Sequence, residues 1–130
     1  MSHQHANIAA ALATRLATLA LPTAWENSSF TPPAGLYLAE SFLPGQTQPF
    51  AVTGTDTVGG IYQVLAMAPK GGTKGAGFAA AKQVADLFPR GLRLAYGGQA
   101  VTIRSTSQLP AIDTGDRWAV PVSVTWWAAV

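Results

Sequence analysis

Apolar residues recur at Ile8, Leu12, Leu16 and Leu19 with alanines between them. That is the spacing of one buried helix face, and it turns Thr14 and Arg15 away from it. Asn7 is placed to cap this helix, with Ser2 as an earlier start, and Pro22 forces an end near Leu21. A second helix is predicted from Phe78, Ala81, Val84, Ala85 and Phe88, stopped by Pro89 with Gly91 just beyond. Between the helices, Ala24 to Asn27 makes a short extended piece, and Pro32-Pro33 rules out a central strand there. LYLAESFL (36–43) and IYQVLAMA (61–68) read as strands apolar on both faces, with Glu40 the odd member and the second strand at a sheet centre. Residues 44–60 are rich in Gly, Thr and Gln without a sustained period, and read as a long loop.

The pattern is sharpest in LRLAYGGQAVTI (92–103). A two-residue Gly-Gly turn pairs Tyr96 with Gln99, Leu94 with Val101 and Leu92 with Ile103, leaving Arg93 opposite Thr102. In WAVPVSVTWW (118–127) alternation puts Trp118, Val120, Val122, Val124 and Trp126 on one apolar face. Pro121 has no N–H for a ladder, so this strand is expected at an edge or a bulge, where another chain can add. The order of elements, without regular βαβ alternation, predicts an α+β fold. Its sheet is largely antiparallel or mixed, with about five strands and two flanking helices, in one domain over residues 1–130.

Charge adds little specificity. Charged residues make up 11% of the chain, and eight basic against six acidic groups leave a net charge of +2. Without a run of Lys or Arg, neither sequence-specific nucleic-acid binding nor a polybasic membrane patch is expected. The first apolar stretch carries Arg15 in its middle and falls short of the about 20 residues of a membrane span. It also lacks the preceding basic region of a signal peptide. Cysteine is absent, which removes disulfides, thiolate nucleophiles and Cys-based zinc sites together.

Candidate chemistry is thin. His3 and His5 lie at the chain terminus with no third ligand nearby, so no metal is expected. In GGTKGAG (71–77) Lys74 is followed by Gly75, not the Ser or Thr of a Walker loop, and no cofactor is expected. Asp113 and Asp116 fall in a Gly-containing turn, where aspartate serves local hydrogen bonds; a small enzyme would need them in a cleft. Lys70, Lys74, Lys82 and Arg90 flank the second helix, spread over about twenty residues, and read as a solvated face. No catalytic constellation emerges. A ligand-binding module using 44–60 as a lid is the competing reading from another class.

Of the aromatics, Trp126 reads as core, Trp25 equally as core or as a protein contact, and Trp127 as a contact. Pro32 and Pro33 stiffen the segment that carries Trp25, Glu26, Asn27 and Phe30, so those side chains can be presented at small entropic cost. Together with Phe50, Pro121 and Trp127 they are the candidate subunit-interface residues. Glu26 is expected to meet a basic group across such an interface, with Arg93 and Arg104 as candidates.

LPTAWENSSFTPPAGLYL, GIYQV followed by AP and a Gly-rich turn, LFPRGLRL, and DRWAVPVSV closing on Trp-Trp occur in that order. The series resembles the tail-terminator proteins of long-tailed bacteriophages, a minor-tail-protein-like family, over nearly the whole chain. That resemblance implies a structural protein without an active site, in a virion tail assembled in the bacterial host cytoplasm. It implies a ring, usually of six subunits, that caps the tail tube and joins it to the head. The implied partners are other copies of the chain, the tube protein and a head-completion or neck protein. A neck connector is the alternative role within the same assembly.

Overall fold

The computed structural model describes residues 2–26, 29–49, 56–70 and 75–129. The chain runs α1 (Ser2–Ala17), β1 (Thr23–Ala24), β2 (Tyr37–Pro49), β3 (Asp56–Pro69), α2 (Gly75–Leu87), β4 (Arg93–Tyr96), β5 (Gln99–Gln108), β6 (Ile112–Asp113) and β7 (Arg117–Ala129). Its strands form a seven-stranded mixed sheet in the order β1-β2-β3-β7-β5-β4, with β6 also paired to β7. The α+β class is as expected, with more strands than the five predicted. β1 runs parallel to β2, and the other ladders are antiparallel.

Both helices lie on one face of the sheet. Ile8, Leu12 and Leu16 of α1 and Ala80, Ala81 and Val84 of α2 close over Leu38, Tyr62, Val64, Val101, Ile103, Val120, Val122 and Val124. Each large aliphatic buried there contributes about 1.5–3 kcal/mol relative to exposure. Arg15 turns off the apolar stripe as predicted, and its Nε donates to the Leu87 carbonyl at the end of α2 (2.9 Å). One arginine thereby ties the two helices together and satisfies an orphan helix-end acceptor.

Helix boundaries shift from the sequence reading for identifiable reasons. α1 begins at Ser2, so Asn7 is interior, and its side chain lies against the Gly97 turn. The helix ends at Ala17 rather than near Leu21, closing through three tight turn bonds with Ala20 at φ 57°. The early exit lets the Pro22 carbonyl accept from Leu38 N (2.8 Å) and lays β1 along β2. In α2, Phe78 is 40% exposed instead of buried. Gly77 takes the contact: a Cβ there would lie 3.0 Å from Val120 Cγ2, so the helix approaches the sheet through its small residues.

The hairpin at Gly97-Gly98 has the predicted register, Arg93 to Thr102, Leu94 to Val101 and Tyr96 to Gln99. Both glycines take positive φ, as a two-residue hairpin turn requires. Two other readings are corrected. Most of 44–60 is strand, because β2 and β3 pair from Tyr37–Met67 out to Pro49–Asp56 across a bulge after Pro44. Glycines there serve close approach: a Cβ on Gly45 would meet the Gly59 carbonyl at 2.3 Å. The strand with Pro121 is no edge, since β7 lies between β3 and β5. The Pro121 carbonyl accepts from Leu109 N (2.9 Å), so its missing N–H faces the same side. That side lies where β5 ends and before β6 takes up the pairing, so the proline costs the ladder at most one terminal bond.

Candidate assembly surfaces

Trp25 follows β1 and is half-buried against the core rather than free in an arm. At Glu26 the backbone N donates to Glu40 Oε1 (3.2 Å), and its own Oε1 accepts from Phe42 N (2.6 Å). Glu26 thus extends the edge that β1 begins, engaging an outward amide of β2 one step beyond the last β1 pair. The next position of the same parity, Pro44, has no amide to offer. Tyr62 donates its hydroxyl to Glu40 Oε2. Burial above all, then the Glu40 hydrogen bond, pushes that hydroxyl far above the ordinary tyrosine value, so it stays a donor. Glu26 and Glu40 lie side by side, with no cationic partner among the described residues.

The proline segment is fastened to its own sheet. Arg117 donates to the Gly35 carbonyl (2.8 Å) and to the Pro33 carbonyl, and its guanidinium lies 4.7 Å over the Tyr37 ring. Phe30 packs on the other side of the cluster, its ring 5.2 Å from that of Tyr37. Pro32 is exposed; Phe30 and Pro33 are half-buried. Asn27 and Phe50 lie outside the described residues. Sequence reasoning passed over Arg117. Its signal is an arginine in a charge-poor chain, ahead of a strand that returns beside a proline segment.

The closing Trp-Trp pair meets a Gly-Gly pair. Trp126 stands opposite Gly60 and Trp127 opposite Gly59. Trp126 is buried and stacks on Phe42, with centroids 5.3 Å apart and planes at 8°. Trp127 is half-buried on the face without helices, at the rim of a hollow of about 280 Å³ lined also by Arg93, Gln99 and Thr102. That is smaller than the roughly 300–1,000 Å³ of ligand pockets. It lies at the β4–β5–β7 end; of the proposed lid, residues 44–49 and 56–60 are paired strand, and the rest lies outside the described residues.

The centre of the helix-free face is uncharged. β2 gives it Tyr37, Ala39, Ser41 and Leu43; β3 gives Ile61, Gln63, Leu65 and Met67; β7 gives Ala119, Ser123, Thr125 and Trp127. None is charged. Leu43 and Ile61 are paired across the ladder and exposed, at 50% and 39%.

The remaining charges serve local roles or stand alone. Lys82 pairs with Asp86 along α2 (2.9 Å), and Lys70 with Asp113 (2.7 Å). Asp113 also accepts from Gly115 N (2.8 Å), and these bonds, Lys70 first, hold its carboxyl below the usual range in an exposed turn. Asp113 is therefore a turn-former, as the bland reading of AIDTGDRW had it. Among the described residues no group of three or more His, Cys, Asp or Glu is arranged to hold a metal ion. No described helix is long and apolar enough to cross a membrane.

A sheet with helices on one face and a largely uncharged centre on the other presents broad surfaces for contact. The comparisons agree. A family model described as phage tail terminator protein matches residues 7–126, and the chain belongs to that family, a structural one of the virion tail. A solved structure 32% identical in sequence superposes with a TM-score of 0.79, covering 93% of this chain and 92% of the other. A chain from the virion of a native gene transfer agent particle shares the fold at 16% identity, with a TM-score of 0.60 over 96% and 95% of the two chains. No match was found among curated proteins.

Proposed function

We propose that this chain is the subunit of a ring, six copies in number, that caps the tail tube, fixes its length and presents a surface to the head. Its partners are then other copies of itself, the tube protein and a head-completion protein, brought together in the host cytoplasm. The observation that carries this reading is the helix-free face of β2, β3 and β7, uncharged from Ala119 to Trp127 and bearing the exposed Leu43–Ile61 pair. Charge is depleted at the centres of protein interfaces, and apolar strand faces left bare are covered on assembly. Trp25, Phe30, Pro32 and Trp127 are the contact residues of this proposal. Pro121 leaves the set because it is buried within its own sheet. On this reading no catalytic residue is to be found.

The test is electron microscopy of particles from a phage or prophage with this gene deleted. Overlong tails without heads are the expected outcome. Tails of normal length joined to heads would overturn the terminator role, and normal tails lacking heads would move the protein to the neck.

A further inference from the structure

Pairing off the charges leaves a polar molecule. Once Lys70–Asp113, Lys82–Asp86, Arg15 on Leu87 and Arg117 on the proline segment are set aside, two clusters and the lone turn carboxylate Asp116 remain among the described side chains. Glu26 and Glu40 sit at the β1/β2 edge, close enough that both raise the Tyr62 hydroxyl. Arg90, Arg93 and Arg104 sit at the other end. Gly91 N donates to the Ile103 carbonyl (2.8 Å), which sets Arg90 near Arg104, and Arg93 pairs with Thr102 in the ladder. All three arginines are exposed, without an acidic partner among the described residues. The two edges lie five strand spacings apart, about 24 Å, and even Glu40 on β2 and Arg104 on β5 are about 14 Å apart at the usual strand spacing. No subunit can pair them within itself.

We propose that copies of this chain join head to tail through these two edges, the acidic β1/β2 edge of one against the arginine-bearing β4/β5 edge of the next. This rests on the ring reading above and assigns its subunit contact. Both edge strands are short, with two and four residues, so neither offers a long bare ladder for indiscriminate pairing. Charge then sets direction. Like edges repel, which disfavours two-fold dimers, and opposite edges attract, which makes the contact heterologous and able to close a ring.

The chain has no cysteine, so introduced thiols report only on themselves. Glu26→Cys, Arg93→Cys and the double variant would be made in the full chain and treated with a short bis-maleimide on tails assembled in the gene-deleted background. The double variant is expected to give a covalent ladder beyond the dimer, and either single variant only monomer. Because Glu26 also satisfies Phe42, a second variant leaves it alone. Arg93→Glu with Arg104→Glu removes no intramolecular partner, and should lower recruitment to tails at least tenfold while the thermal midpoint holds. Dimers from a single-cysteine variant, or recruitment of the arginine variant at the wild-type level, would overturn the edge contact. So would a wild-type ring without a ladder in the double variant, and there the ring itself would stand. Wild-type protein found singly on tails would overturn both.

Discussion

At the scale of single residues, the conspicuous chemistry is structural. Gly60 has no room for a side chain, since a Cβ would come within 2.4 Å of the Leu43 carbonyl and 2.8 Å of Trp126 Cζ2. Backbone cannot give way as a flexible side chain can, so Gly60→Ala should cost about 2 kcal/mol, read as a lower urea midpoint with an unchanged slope. Tyr62 offers a pH test. Its hydroxyl is held protonated in the folded state and ionises near pH 10 when unfolded, so it contributes stability below pH 10 that is lost as pH rises beyond. Tyr62→Phe leaves Glu40 short of a donor and should cost about 2 kcal/mol at neutral pH. Its deficit against wild type should shrink above pH 10, in urea titrations run at several pH values. A deficit constant with pH would show that the hydroxyl is not retained by Glu40.

At the scale of elements, the segment 29–36 depends on a residue far away in the chain. Arg117 reaches two of its carbonyls and stacks on Tyr37, a forked arrangement that a lysine cannot reproduce. Arg117→Ala should release the segment and speed proteolytic cleavage within it several-fold, while Arg117→Lys restores little. Cleavage at the wild-type rate would mean that the prolines alone hold the segment. The β4–β5 hairpin behaves in the opposite way. Its register follows from neighbouring residues, and so it could be read in advance from LRLAYGGQAVTI. The β2–β3 pair could not. Its glycines carry the usual marks of a loop, and their close approach to the facing strand and to Trp126 shows only once the strands are paired.

At the scale of the whole molecule, the subunit divides into a helix-covered face that holds it together, a helix-free face with a largely uncharged centre, and two edges of opposite charge. That division is what a ring subunit requires: a stable core on one side and surfaces left for neighbours on the others. Deleting the gene tests the role. Thiol cross-linking tests the seam between copies. The two can fail separately, because a terminator assembled through other surfaces would pass the first and fail the second.

Local periodicity and turn chemistry determined the two helices, the Gly-Gly hairpin, the alternation of the closing strand and the order of elements, since each depends on neighbours within a turn or a strand pair. The motif order carried the family. Tertiary structure decided that the strand bearing Pro121 is central, because its missing donor falls at a break made by a different strand. It also decided that Glu26 serves its own edge and that the arginines gather at the far one. Those outcomes depend on which strands become neighbours, and that is set by burial of the whole sheet beneath two helices.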